Sequence, residues 1–363
     1  MRIIFFLTFL IFNISISAQE NYKLMFYNVL NYPSSNPTKA NVLKDIIDYT
    51  NPDLLMLTEI TNVSAVDLLL DDALNVDIEN EWQNAPFIDG PDSDNLLFYK
   101  NNLFTLTETN VISTTLRDIN EYVLYLNESI GYDTTYIYVY ISHLKAGNNK
   151  QNANQRTLEV TALKNYINDR TNGEHFVVSG DFNIYSSQEN AYQALLNFGL
   201  SLNDPINQEG EWHNNSFYSN IHTQSTRTNN LSDGGSIGGM DDRFDFILIS
   251  DDLLNGRLSY VANSYKSFGQ DGEHFNLSFD ELNNSAVPSY INDALYEMSD
   301  HLPVIMELKY DQNVSSIKGD VYNRIPKVLA VRDILGRIVD PKENEFQFYI
   351  YDNGKVEKKI IIH

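Results

Sequence analysis

The stretch Phe176–Asn183, which reads FVVSGDFN, is an apolar run that ends in an aspartate and an asparagine. Short apolar runs rich in β-branched and aromatic residues predict buried strands. A carboxylate at the end of a buried strand loses its hydration and gains no apolar contact, so its presence needs another reason. The stretch therefore predicts a core strand that delivers Asp181 and Asn183 to a polar site.

The same pattern recurs along the chain, with a polar residue in or at the end of an apolar run. The residues at these positions are Asn28, Glu59, His143, Asp245, Asp300 and His301. Burying a polar residue at such a position is energetically unfavourable, so its repeated occurrence predicts that the strand ends converge on one site. Carboxylates, an amide and two imidazoles suit a divalent cation and metal-assisted attack on a phosphate ester.

Six sequence blocks carry a family resemblance: Phe26–Leu30, Asn51–Glu59, Ser142–Lys145, Gly180–Asn183, Arg243–Leu248 and Ser299–Pro303. In this order they resemble the endonuclease/exonuclease/phosphatase superfamily, which includes pancreatic-type deoxyribonucleases and abasic-site endonucleases. The resemblance extends from Lys23 to about Tyr310. One block alone would be a weak signal, but six in the family's order are specific. The implied fold is an α/β four-layer αββα sandwich, with two packed mixed sheets flanked by helices.

The resemblance also implies roles in binding the metal and the phosphate. Glu59 and Asn28 would bind Mg²⁺ or Mn²⁺, and Asp300 would be a further ligand of a metal or water. Asn183 would hold a phosphate oxygen. Arg117 falls where pancreatic-type members carry an arginine that contacts phosphate.

The catalytic residues implied by the resemblance are His143, Asp181, Asn183, Asp245 and His301. Asp245 would orient His301, and Asp181 would hold the attacking water or a second cation. His143 would assist the leaving oxygen, and its block is similar to the deoxyribonuclease and sphingomyelinase branches. The residues alone do not decide which histidine is the acid and which the base.

The composition is acidic, with 49 Asp plus Glu against 25 Lys plus Arg and a net charge of −24. This charge argues against broad, tight binding to a polyanion, which needs a basic surface. An enzyme with rapid turnover is still allowed, since a bound cation supplies local positive charge. The pairs Asp71–Asp72 and Asp241–Asp242 are candidates for structural Ca²⁺. The chain contains no cysteine, so it has no disulfides.

Residues 1–18 have the pattern of a secretory signal peptide, with a lone Arg2, the apolar run Ile3–Phe12 and small residues before Ala18. The apolar run is short for a membrane span, so a membrane anchor is the weaker alternative. Residues 19–310 would form the enzyme domain. The sequence therefore predicts a secreted protein.

Residues 311–324 are polar and predict a linker, and residues 325–363 predict a small all-β domain. Asn353–Gly354 between strand-like runs is a strong hairpin signal. Asp333–Arg337 and Tyr349–Lys355 resemble the C-terminal sorting domain of the type IX secretion system. The resemblance implies transport across an outer membrane by that machinery, leaving the enzyme released or attached to the cell surface. The alternative is a small β-module with no sorting role.

Between the strands, hydrophobic periodicity predicts helices at 36–49, 64–74, 152–168 and 188–198. Gly234–Gly239 predicts a flexible loop close enough to touch substrate, and Trp82 and Trp212 predict core packing. The predicted function is that of a monomeric phosphodiesterase acting on DNA, and on RNA as a further substrate. Alternatives are a sphingomyelinase-like enzyme acting on lipid head groups, a phosphomonoesterase and a non-catalytic surface-binding module.

Overall fold

The computed structural model describes residues 20–129, 134–170, 173–311, 328–333, 337, 339, 341–342, 346–351 and 356–359. The chain divides into two compact units, Met1–Asn313 and Val314–His363. The predicted signal peptide and nearly all of the predicted linker lie outside the described residues. Among the residues that are described, no helix has the length and apolar character needed to cross a membrane.

The first sheet of the large unit has seven strands. In spatial order it contains β11 (Leu258–Tyr260), β13 (Val304–Tyr310), β1 (Glu20–Tyr32), β2 (Leu54–Ile60), β4 (Asp94–Lys100) and β3 (Trp82–Asn84), and β12 (Lys266–Ser267) also pairs with β13. β1 runs parallel to β2 and antiparallel to β13. Strand β2 is apolar on both faces, so it is buried on both sides.

The second sheet has six strands. Their spatial order is β5 (Phe104–Ile112), β6 (Ile119–Leu126), β7 (Tyr136–His143), β8 (Phe176–Asp181), β10 (Asp245–Ser250) and β9 (Leu202–Asn203). β7 and β8 are parallel, whereas β10 is antiparallel to β8. The mixed pattern places the ends of β7 and β8 beside the start of β10.

Helices cover the outer faces of both sheets. They are α1 (Lys39–Thr50), α2 (Ser64–Leu69) with a π-helical continuation Leu70–Leu74, α3 (Lys150–Asp169), α4 (Asn190–Asn197) and α5 (Ser289–Met298). The four predicted helices are confirmed with shifts of up to three residues at their ends. Helix α5 was not predicted; it buries Ile291, Leu295 and Met298 against the first sheet's outer core.

Three apolar cores separate the layers. Phe26, Met56, Val139 and Ile247 belong to a core that the two sheets share, and the other two cores join each sheet to its helices. The four-layer αββα sandwich is therefore confirmed. Trp82 and Trp212 lie in the outer cores with 3% and 0% exposure, which confirms their packing role.

The small unit contains one antiparallel sheet of β14 (Val328–Arg332), β15 (Gln347–Tyr351) and β16 (Val356–Lys359). Val331 and Tyr349 are buried there, with Val339 packed against them. The prediction of a small all-β domain is confirmed. The predicted hairpin turn at Asn353–Gly354 lies outside the described residues.

Candidate active site

Strand register places three of the predicted residues side by side on the second sheet. His143 ends β7 and is paired with Asp181 at the end of β8. Asp181 is in turn paired with Asp245, the first residue of β10. Neighbouring residues on adjacent strands project to the same face of a sheet, so these three side chains converge.

The first sheet supplies the opposite side of the site. Asn28 lies on β1 and Glu59 on β2, which are parallel and therefore end at the same edge. Asp300 and His301 immediately precede β13, which runs antiparallel to β1 and begins at that edge. The cluster is thus built where both sheets end, as the sequence predicted.

Asn28 links carboxylates from the two sheets. Its Nδ2 donates to Glu59 Oε1 at 2.9 Å and to Asp181 Oδ2 at 3.0 Å. Its Oδ1 accepts the backbone N–H of Leu30 at 3.0 Å. The amide oxygen thus accepts one backbone hydrogen bond while the nitrogen faces the carboxylates. Binding of a metal by Asn28 stays a prediction.

Two imidazoles flank the Asp181 carboxylate. His143 Nε2 lies 3.5 Å from Asp181 Oδ2, and His301 Nε2 lies 3.6 Å from the same oxygen. His143 Nε2 is also 3.9 Å from Glu59 Oε1. On its other side, the His301 ring bonds to Asp245 Oδ2 through Nδ1 at 2.8 Å.

Burial and mutual charge shift the protonation of these groups. Burial raises the pKa of Asp181 to about 7, and the charges of Asp245 and Glu59 act in the same direction against that of His301. Burial and the charge of Asp300 raise the pKa of Glu59. The carboxylates thus crowd together with too little positive charge, which is the electrostatic condition that a bound cation relieves.

The pKa values of the two histidines shift in opposite directions. Burial lowers the pKa of His143 well below its ordinary value, and the charges of Arg117, His301 and Lys145 lower it further. Burial also acts to lower the pKa of His301, but nearby carboxylates, first of all Asp245, raise it well above the ordinary value. The two imidazoles therefore differ in proton affinity although they flank the same carboxylate.

Asn183 lies in a turn just beyond the end of β8. Its φ is 51°, so the chain turns left-handed directly after β8. Asp181 Oδ1 accepts the Asn183 backbone N–H at 3.1 Å, and Asn183 Nδ2 donates to Leu144 O at 3.2 Å. The turn, and not an extended strand, therefore sets the direction of the Asn183 side chain.

Arg117 lies beside the cluster without bonding to it. Its Nε is 3.0 Å from Asp92 Oδ2, and its Nη1 donates to Leu144 O at 3.5 Å. Its charge nevertheless acts on His143. Its contact with phosphate stays a prediction.

Gln224 and Ser236 were missed from the sequence. Gln224 Nε2 lies 2.6 Å from His301 Nε2 and 3.3 Å from Asp300 Oδ2. The backbone N–H of Ser236 donates to Asp300 Oδ2 at 2.6 Å. Both residues lie in loops, where no periodic pattern marks a contact; the only signal was the position of the glycine-rich segment before β10.

The donor atoms in the cluster suit a divalent cation. Among the described residues, Glu59, His143 and Asp181 offer ligand atoms within 4.8 Å of one another, and so do Asp181, Asp245 and His301. Asp245 Oδ1 and Asp300 Oδ1 are buried and have no hydrogen-bond partner in the part of the chain that the structure describes. Oxygen-rich sites of this kind fit Mg²⁺ or Mn²⁺.

Of the two aspartate pairs considered for structural Ca²⁺, one lies in a group of potential metal ligands. Asp241 and Asp242 form a third group with the exposed His213, whose Nδ1 is 2.8 Å from Asp242 Oδ1. Asp71 and Asp72 belong to no such group within the part of the chain that the structure describes.

The sequence model of the Endonuclease/Exonuclease/phosphatase family matches residues 25–267. The chain belongs to this family. It is therefore a hydrolase of phosphate esters, and the site described above is the candidate active site of an endonuclease/exonuclease/phosphatase enzyme. No curated protein sequence shows significant similarity to the chain.

Solved structures share the family fold at low sequence identity. TDP2 of D. rerio, in a crystal structure with a single-strand DNA product, is 14% identical with a TM-score of 0.52, covering 79% of this chain and 98% of its own. The human Nocturnin catalytic domain is 17% identical with a TM-score of 0.51, covering 81% and 98%. A mannosyl-6-phosphatase of Bacteroides thetaiotaomicron is 15% identical with a TM-score of 0.50, covering 79% and 99%. At these identities the similarity shows the fold alone.

Proposed function

We propose that this chain is a secreted phosphodiesterase dependent on a divalent metal, an extracellular nuclease that hydrolyses DNA and accepts RNA as a further substrate. The observation that carries the proposal is the pair of imidazoles on either side of Asp181. His143 Nε2 and His301 Nε2 lie 3.5 and 3.6 Å from Asp181 Oδ2. Hydrolysis of a phosphodiester requires a proton to leave water and another to reach the leaving oxygen, and two imidazoles can serve both steps.

Glu59 and Asp181, with Asp300 beside them, would hold the cation. When bound, the cation supplies positive charge that neutralises the phosphate. Asn28 keeps the carboxylates of Glu59 and Asp181 at a fixed separation, because one amide nitrogen donates to both. Fixed ligands lose little entropy when the site is completed, which favours catalysis by positioning.

The Asp245–His301 pair prepares one imidazole for proton transfer. Asp245 engages Nδ1, so Nε2 is the ring nitrogen that faces Asp181 and the rest of the site. His143, on the other side of Asp181, supplies the second proton-transfer group. Water attacks from one side of the phosphorus while the opposite oxygen leaves, with one imidazole serving each.

Export forms the second part of the proposal and is supported by the sequence at both ends. The signal-peptide pattern of residues 1–18 favours entry into a secretory route, and the resemblance within residues 325–363 favours transport by type IX machinery. An acidic surface with a net charge of −24 suits a soluble extracellular enzyme.

The test is hydrolysis by the purified protein in Mg²⁺, Mn²⁺ or EDTA, with duplex DNA, RNA, sphingomyelin and a sugar phosphate offered in parallel. DNA cleavage that requires metal and is lost in His301→Ala would support the nuclease. His213→Ala, which removes an exposed histidine outside the cluster, is the matched control. Choline-phosphate release alone would indicate the lipid alternative, and phosphate release from the sugar alone would indicate a phosphomonoesterase.

A further inference from the structure

The loop Asp233–Gly239, which reads DGGSIGG, is held in place by buried charges. Asp233 accepts from Arg227 Nη1 and Nη2 at 3.0 and 3.1 Å and also pairs with Lys39 Nζ. The side chains of Arg227, Lys39 and Asp233 are 0%, 4% and 6% exposed. Removing charges from water is strongly unfavourable unless they are paired, so anchoring a surface turn with three buried charges carries a large desolvation penalty.

Hydrogen bonds fix the rest of the loop. Arg227 Nη1 also donates to Gly234 O at 3.1 Å, and the N–H groups of Gly238 and Gly239 donate to Arg227 O at 3.1 and 3.0 Å. Ser225 Oγ donates to Ser236 O at 2.8 Å. A segment with four glycines would otherwise have high conformational entropy, so these bonds select one backbone path. These bonds define the path of the loop in this structure, and its flexibility stays a prediction.

The loop contacts the candidate active site at Asp300. The Ser236 N–H donates to Asp300 Oδ2 at 2.6 Å, while Asp300 Oδ1 is buried and has no hydrogen-bond partner among the described residues. Gly235 has a φ of +94°, and a Cβ placed on it would lie 3.0 Å from Asp300 Cγ and 3.1 Å from Leu30 Cδ2. A side chain at Gly235 would therefore require Asp300 and Leu30 to shift, and the positive φ would add backbone strain.

We infer that Asp233–Gly239 is a positioning element for Asp300. It binds Oδ2 through the Ser236 amide, which fixes the carboxylate and leaves the buried Oδ1 for a divalent cation or its water. The cation is part of the function proposed above, but the positioning of Asp300 is a separate property of the loop. Gly235 and Ser236 act through Asp300 and not on substrate.

The test compares Gly235→Ala with Gly272→Ala in the full chain. Gly272 has a similar φ of +84°, but a Cβ there would meet only ordinary contacts, the nearest being Ser219 Oγ at 3.7 Å. Both variants place a side chain at a positive φ, but only at Gly235 does the added Cβ meet Asp300. We expect Gly235→Ala to weaken Mn²⁺ binding at least tenfold by calorimetry, whereas Gly272→Ala stays within about twofold of wild type.

A double-mutant cycle identifies the route of the effect. If Gly235→Ala acts through Asp300, combining it with Asp300→Asn should weaken Mn²⁺ binding no more than Asp300→Asn alone. Ser225→Ala, which removes one bond to the loop, is a milder second variant and should weaken Mn²⁺ binding a few-fold. Wild-type-like binding by Gly235→Ala, additive effects in the cycle, or no Mn²⁺ binding by the wild type would each overturn the inference.

Hydrolysis of bis(p-nitrophenyl) phosphate is measured on the same samples to separate the two proposals. A wild type that binds Mn²⁺ but hydrolyses no diester would contradict the proposed function. The Mn²⁺ affinities of the variants would still decide the role of the loop.

Discussion

His301 Nδ1 lies 2.8 Å from Asp245 Oδ2, and both side chains are buried. The two residues come from different sheets: Asp245 begins β10 of the second, and His301 precedes β13 of the first. One hydrogen bond therefore joins the sheets at the edge where the site lies. It also engages Nδ1, so that Nε2 is the ring nitrogen that faces Asp181.

Asp245→Asn should lower kcat by about 10²- to 10⁴-fold while leaving KM nearly unchanged, because an amide neither fixes the imidazole tautomer nor stabilises its charged form. The measurement is steady-state kinetics on whichever substrate the hydrolysis assay proposed above identifies. Asp242→Asn is the matched control, since Asp242 Oδ1 lies 2.8 Å from His213 Nδ1 in a similar pair outside the cluster. Equal losses in the two variants would contradict the role assigned to Asp245.

Mg²⁺ should stabilise the wild type against unfolding, because Glu59, Asp181 and Asp300 crowd negative charge into a buried site. At a hundredfold excess over Kd, binding adds about 2.7 kcal/mol to the free energy of unfolding. Thermal unfolding in Mg²⁺ and in EDTA measures the difference. Glu59→Gln should lose most of this stabilisation by Mg²⁺, whereas Glu81→Gln, outside the cluster, should retain it. A gain that survives in Glu59→Gln would place the cation elsewhere.

Much of the site could be predicted from the sequence because it lies on strand ends. Apolar runs that end in Glu59, His143 and Asp181 predict buried strands, and the polar residue at each end is unusual for such a strand. Parallel neighbours in the sheets then bring those ends to one edge. Convergence follows from topology without knowledge of any single contact.

The orientations of individual side chains could not be predicted. Asn28 turns its nitrogen inward because the Leu30 N–H occupies its oxygen, and Asn183 departs from the strand because its φ is 51°. Ser236 meets Asp300 across 64 residues of sequence. Such contacts depend on loop conformation, and neither hydrophobic periodicity nor spacing encodes it.

Asp94 should make the stability of the protein depend on pH. Burial raises the pKa of Asp94 to about 6, and none of the residues that the structure describes offers a hydrogen-bond partner to its buried Oδ2. The folded state therefore holds this proton more tightly than the unfolded state, whose aspartate has a pKa near 3.8. The associated stability is complete below about pH 4 and is lost as the pH rises through about 6.

Asp94→Asn removes this dependence, because an amide stays uncharged. At pH 7.5 the variant should be more stable than wild type by about 1–3 kcal/mol, and at pH 4 the difference should vanish. Urea unfolding at the two pH values measures both quantities. A variant equally or less stable than wild type at pH 7.5 would show that the carboxylate is better solvated than its burial implies.

Asp204→Ala should strongly destabilise the fold, because it leaves a guanidinium buried and unpaired. Arg243 Nη1 and Nη2 lie 2.7 and 3.0 Å from the Asp204 carboxylate, and the two side chains are 1% and 3% exposed. Breaking a buried pair costs about 3–5 kcal/mol, whereas exposed pairs contribute about 0–1 kcal/mol. Asp77→Ala, which breaks the exposed pair with Lys44, is the control in urea unfolding. Equal losses in the free energy of unfolding for the two variants would mean that Arg243, two residues before Asp245, does not need Asp204 to keep β10 in place.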